Sequence, residues 1–128
     1  MSFPIKAVVF DWAGTMVDVG CVAPVHALVE LFAAEGVEIT PDEARADMGR
    51  AKMDHLRRIL GNPDVAERWL STKGQAWDED DVARIYAALE PAMAEAATRS
   101  ATLIPGAAKV VEELRSLGVG IGSGTGYT

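Results

Sequence analysis

The chain opens on "IKAVVFD", residues 5–11, a short apolar run with paired valines that stops on a carboxylate. Unbroken apolar runs of this length mark strands covered on both faces, so the pattern predicts a buried parallel strand. The period then changes. "PVHALVELFAAEG" places apolar residues at helical intervals and stops on Gly36. In "TPDEARADMG", Thr40, Pro41 and Glu43 occupy the N-cap, first and third positions of a capping box, so a short helix starts there and Gly49 interrupts it. "RAKMDHLRRILG" reads as a helix beginning near Gly49 and closed by Gly61, which puts Lys52 about three residues inside it. "PDVAERWLSTKG" reads as the next, entered through Asn62-Pro63 and ending near Gly74. "DEDDVARIYAALEPAMAEAATRS" has an acidic first turn that suits the helix dipole, and Pro91 inside it should kink or break it. "IPGAAKVVEELRSLG" is a last helix stopped by Gly118, and "VGIGSGTGYT" starts as a strand and becomes a glycine-rich turn.

The order is therefore strand, a block of helices, one more helix, strand. A parallel strand pair needs a crossover of a dozen or more residues. The crossover here is far longer than one helix, which predicts an inserted helical subdomain. The expected fold is α/β: a Rossmann-like core from residues 1–19 and 101–128, with a helical cap at 20–100. Doubly wound sheets usually hold more than two strands. The sequence therefore has the character of the front part of a larger α/β protein, its core truncated.

Composition narrows this only at the edges. The 128 residues are 49% hydrophobic and 24% charged, as in ordinary globular chains. A formal net charge of −7 argues against non-specific binding to nucleic acid or anionic membrane, yet leaves room for a small anionic ligand in a local positive site. The single cysteine, Cys21, permits no internal disulfide and suits a reducing compartment. No apolar run approaches the ~20 residues that span a bilayer, and "MSFPIKAVVF" lacks a signal-peptide layout. A cytoplasmic protein is expected.

The chemistry lies at the strand ends. Doubly wound folds bind ligands beyond the carboxyl ends of their strands. Asp11 stands at one such end, and Ser123 and Thr125 follow the other. An aspartate there can attack an electrophile and form a covalent intermediate. Hydroxyls and backbone N–H groups in a glycine-rich turn suit phosphoryl oxygens. Taken singly, these are also ordinary turn residues, Lys52 an ordinary solvated lysine and His55 an ordinary surface histidine. Asp18 reads as a solvated helix-entry carboxylate, and Trp12, Trp69 and Trp77 show no pattern beyond packing.

"FDWAGT" resembles the first motif of the haloacid dehalogenase superfamily, whose first aspartate is the nucleophile, and "VGIGSGTGYT" resembles its second, which supplies a phosphate-binding Ser or Thr. Phosphatases of that superfamily usually carry a second Asp two residues after the nucleophile, where this chain has Ala13. "FDWAGTMVDVGCVAP", "MGRAKMDHLR" and "GSGTGYT" together resemble the phosphonoacetaldehyde hydrolase (phosphonatase) family along the whole chain, with Gly124 where that family more often has Thr.

The resemblance implies hydrolysis of the C–P bond of phosphonoacetaldehyde to acetaldehyde and phosphate. It makes Lys52 the Schiff-base lysine and Asp11 the nucleophile that becomes an aspartyl phosphate. Ala13 then makes chemical sense. A carboxylic acid does little for a carbanion leaving group, whereas an iminium next to the scissile bond is an electron sink. His55, three residues after Lys52 and on the same helix face, is placed to accept the lysine proton. Thr125 and Ser123 would hold the phosphoryl group, and Met48, Cys21 and Tyr127 match supporting positions. Magnesium is implied, with the Asp11 carboxylate and the Ala13 backbone carbonyl as ligands; the remaining acidic ligands and a basic residue come from later motifs beyond Thr128. A homodimer through "PVHALVELFAAEG" is also implied. Two alternatives stand beside this reading. One is another superfamily hydrolase or phosphotransferase that uses Asp11 but not Lys52; the other is a non-catalytic fragment or dimerising remnant.

Overall fold

The structure, a computed structural model, describes residues 3–125. The elements run β1 (Ala7–Asp11), α1 (Val22–Ala34), α2 (Pro41–Arg45), α3 (Lys52–Gly61), α4 (Pro63–Lys73), α5 (Glu79–Arg99), α6 (Ala107–Ser116) and β2 (Gly120–Gly124). They divide into two compact units, one gathering residues up to Val22 with those from Ala97 onward, the other Ala23–Ala96.

In the first unit β1 and β2 pair in parallel, with Ala7 opposite Gly120 and Asp11 opposite Gly124. Strand alternation puts Val8, Phe10, Ile121 and Ser123 on one face and Ala7, Val9 and Asp11 on the other. The first face is the one α6 approaches. Val111 of α6 lines a cavity of about 240 Å³ with Phe10 and Ile121, and all three are half-buried. The second face is bare, and Val9 is 75% exposed. This corrects the expected strand covered on both faces. An apolar run says what a strand is able to bury; the elements packed on it decide what it does bury, and among the described residues nothing covers Val9. The strand also starts at Ala7 rather than at Ile5.

The second unit is built around Phe32 of α1, Leu56 and Leu60 of α3, Trp69 of α4, and Val82 and Ile85 of α5, all buried. Local signals set its helix ends. Thr40 accepts the Glu43 N–H and Glu43 accepts the Thr40 N–H, at 3.1 and 2.9 Å, so the capping box forms as read. Asn62 caps α4 by accepting the Asp64 N–H, and Gly74 closes that helix in the left-handed conformation. One expectation fails at the end of α2, and of the kink or break expected at Pro91 the break does not occur. α2 stops at Arg45, four residues short of Gly49. α5 runs unbroken through Pro91. That ring forfeits the bond to the carbonyl of Ala87, and both residues are exposed, so the break in the ladder falls on the solvent side of the helix.

One carboxylate joins three helices of this unit. Glu35, just past α1, pairs with Lys73 of α4 at 2.8 Å and with Arg84 of α5 at 3.1 Å, and Arg84 also holds Asp81 at 2.7 Å. The Arg84 guanidinium, and after it the Lys73 ammonium, hold the Glu35 carboxyl below its ordinary range against the opposing effect of burial. A carboxyl depressed on folding stabilises the fold above its unfolded pKa of about 4.3, and that contribution is lost as pH falls through the folded value. Urea unfolding of the chain is therefore expected to show a wild-type advantage over Glu35→Gln at neutral pH that closes as pH falls below about 4. A gap that stays constant with pH would remove Glu35 from the clasp.

Candidate functional site

Asp11 is the last residue of β1, and its register partner Gly124 is the last of β2. The two strands therefore bring Asp11 beside the exit that carries Thr125, the juxtaposition the sequence pattern anticipates. Asp11 is exposed, and its carboxylate has no hydrogen-bond or ion-pair partner among the described residues. Ser123 lies inside β2 rather than after it, opposite Phe10. By alternation it stands on the α6 face, where it lines the cavity of Phe10 and Ile121, and not on the face of Asp11. Thr125 is the first residue past the strand end. Tyr127 lies outside the described residues.

The loop after β1 is a tight backbone structure. The Trp12 carbonyl accepts from Thr15, Met16 and Val17 N–H at 3.1, 2.8 and 3.3 Å, and the Val17 carbonyl accepts from Gly14 N–H at 2.7 Å. These bonds leave the Ala13 carbonyl without a partner among the described residues. A second set ties the loop to the segment before α6: Asp18 N–H donates to Thr102 O at 3.1 Å and Ile104 N–H to Met16 O at 2.9 Å.

Gly14 has φ +78°, and a Cβ built on it would overlap Cys21 Sγ. Cys21 thus packs on the backbone of the Asp11 loop. Gly14→Ala combines a left-handed backbone with this overlap and is expected to cost about 1–3 kcal/mol. Adding Cys21→Ala should recover the steric part only, and chemical denaturation of the three variants measures both.

Asp18 is nearly fully buried, with φ +58°, and accepts the Val22 N–H at 3.0 Å. It does lead into α1 as expected, but it is not solvated. The N–H groups at a helix start have no intrahelical partner, and a buried start needs such an acceptor.

In the second unit, α3 begins at Lys52 itself, behind Ala51, which makes no side-chain cap. Lys52 is thus the first helical residue and not the third or fourth, because the Asp47–Arg50 segment is a turn: Asp47 has φ +58° and Gly49 φ +101°. His55 is buried, not at the surface, and its Nε2 lies 2.8 Å from the Ala46 carbonyl. Met48 is half-buried in the turn between them. Met48, Lys52 and His55 therefore belong to one local assembly. The Ala46–His55 contact had no signal in the sequence.

The donors available to a metal are the Asp11 carboxylate and the Ala13 carbonyl, both oxygens and both without a partner among the described residues. They fit a hard cation such as Mg²⁺, which takes one or two protein oxygens and fills its remaining positions with phosphate and water. No cluster of three or more His, Cys, Asp or Glu side chains able to hold a metal occurs among the described residues. No helix among them is long and apolar enough to cross a membrane.

The model of the haloacid dehalogenase-like hydrolase family matches residues 5–128. A phosphonoacetaldehyde hydrolase of Syntrophobacter fumaroxidans is 49% identical over 125 residues, covering 98% of this chain and 45% of that protein. A phosphonoacetaldehyde hydrolase of Bacillus cereus is 44% identical over 124 residues, covering 97% and 47%. The crystal structure of a phosphonoacetaldehyde hydrolase-like protein from Oleispira antarctica superposes with a TM-score of 0.91 at 44% identity, over 99% of this chain and 46% of that one. The chain thus spans less than half the length of these relatives.

Proposed function

The chain belongs to the haloacid dehalogenase-like hydrolase family, and from that premise we propose that it carries the nucleophile and Schiff-base half of a phosphonoacetaldehyde hydrolase. The observation that carries the reading is Asp11, an exposed carboxylate without a partner among the described residues, at the carboxyl end of a parallel strand and beside the exit to Thr125. Ala13 in place of a second acid, and relatives named for this activity, support the C–P bond as its target.

The Lys52 amine condenses with the aldehyde of the substrate, releasing water and leaving an iminium one carbon from phosphorus. An Asp11 oxygen attacks phosphorus and the C–P bond breaks. Its electron pair moves into the iminium, giving an enamine on Lys52 and an aspartyl phosphate on Asp11. Protonation of the enamine carbon and hydrolysis of the resulting imine release acetaldehyde. Water then cleaves the acyl phosphate, freeing phosphate and restoring Asp11. His55 exchanges the lysine proton. Thr125 holds the phosphoryl oxygens in preference to Ser123, whose side chain leaves β2 on the face away from Asp11. The Asp11 carboxylate and the Ala13 carbonyl would hold Mg²⁺, which when bound supplies positive charge that offsets the phosphoryl oxygens. The chemistry requires Lys52 and Asp11 to engage one substrate molecule, and two copies of the chain would pair through α1. A cytoplasmic setting suits the single thiol.

Release of inorganic phosphate from phosphonoacetaldehyde in the presence of Mg²⁺ tests the reading. The expected result is release from the aldehyde and none from ethylphosphonate, which has the C–P bond but nothing for Lys52 to condense with. Equal release from both would favour a family member that uses Asp11 without Lys52.

A further inference from the structure

α2 is five residues long, too short to be stable alone, and its last carbonyls have no helical partners. The carbonyl of the residue that caps it, Ala46, meets Nε2 of α3's His55 at 2.8 Å, and the His55 side chain is only 8% exposed. A backbone carbonyl only accepts, so the ring nitrogen facing it must carry the hydrogen. The turn closed by this bond also contains short-range contacts: Met48 N–H to Arg45 O at 3.1 Å, Arg50 N–H to Asp47 O at 3.4 Å, and Arg50 Nε to the Asp47 carboxylate at 3.0 Å. It passes through two left-handed residues, Asp47 and Gly49, before delivering Lys52 as the first residue of α3.

We propose that His55 is a positioning residue: the Ala46 carbonyl locks its neutral ring in the Nε2–H form, and that bond fixes the turn that presents Met48 and Lys52. The bond joins the exit of α2 to the end of the first turn of α3, so it spans the whole segment whose path sets where Lys52 emerges. It also assigns the two ring nitrogens. Nε2 is committed to structure, and Nδ1 is the nitrogen left to exchange a proton with Lys52. This last consequence rests on the Schiff-base reading; the tautomer and the turn do not.

The chain has two histidines, and His26 is exposed, so it serves as an internal reference. Long-range ¹H–¹⁵N NMR of the uniformly labelled chain, above the pH at which both rings are neutral, is expected to show His55 as a single form, protonated at Nε2 and bare at Nδ1. His26 should show the averaging of a free ring. A His55 ring protonated at Nδ1, or averaged like His26, overturns the proposal.

Amide exchange of Met48 gives a second readout. His55→Ala should speed it about five- to tenfold, the effect of losing one hydrogen bond, and His55→Gln, whose amide nitrogen reaches the Nε2 position, should restore it to within about twofold. Unchanged exchange in His55→Ala, or equal acceleration in both variants, rejects the clamp. Both measurements use the chain without substrate, so they stand or fall separately from the proposed activity.

Discussion

Asp11→Asn is expected to lower phosphate release from phosphonoacetaldehyde by on the order of 10⁴-fold or more, as loss of a covalent nucleophile does. The substitution keeps the size and shape of the side chain and removes its charge and nucleophilicity. Because the carboxylate is exposed and makes no ion pair or hydrogen bond among the described residues, nothing in the fold depends on it. Urea unfolding of the variant should therefore match wild type within about 0.5 kcal/mol, the usual range for surface substitutions. The combination of lost turnover and unchanged stability is the signature of a group placed for chemistry. Turnover within tenfold of wild type would mean that another group attacks phosphorus.

The largest effect on stability is expected at Trp69. It is the largest of the fully buried side chains, with Lys73 Nζ 5.3 Å from the ring centroid. Trp69→Ala should cost about 3–5 kcal/mol, combining lost burial with the cavity left behind. The indole Nε1–H is buried with no partner among the described residues, which makes Trp69→Phe a useful contrast. Phe keeps most of the apolar volume and removes the unsatisfied donor, whose burial carries a penalty of about 1–3 kcal/mol. Its net cost should be well under half that of Ala. A denaturation series on the three proteins measures the order; equal costs would show that ring volume does not set the packing around α4.

Several features were legible because the residues that form them are neighbours in the chain. The Thr40–Glu43 box, the Asn62 cap and the Gly74 stop are each complete within a few residues, and all three form as read. The meeting of Asp11 with the end of β2 was legible for a different reason: two strands joined by a long crossover pair in parallel, and parallel pairing brings like ends together. What went astray depended on distant or solvent partners. The exposure of Val9 is set by what packs on β1. The continuity of α5 through Pro91 is set by the solvent access of Ala87. The burial of Asp18 and His55 follows from tertiary contacts that no local pattern encodes. Lys52 carried no physical signal of its own. Its candidacy came from the resemblance of "MGRAKMDHLR", and its position at the very start of α3 became visible only with the Asp47–Arg50 turn.

The most direct test of the account is to trap the imine. The chain is mixed with phosphonoacetaldehyde, reduced with borohydride and mapped by peptide mass spectrometry. The account predicts an N-ethyl group on Lys52 in the wild type, where the C–P bond has broken before reduction, and a phosphonoethyl group on the same lysine in Asp11→Asn, where it has not. Lys52→Arg should carry neither. An unmodified Lys52 in the wild type, or the same adduct on another lysine in Lys52→Arg, would contradict it.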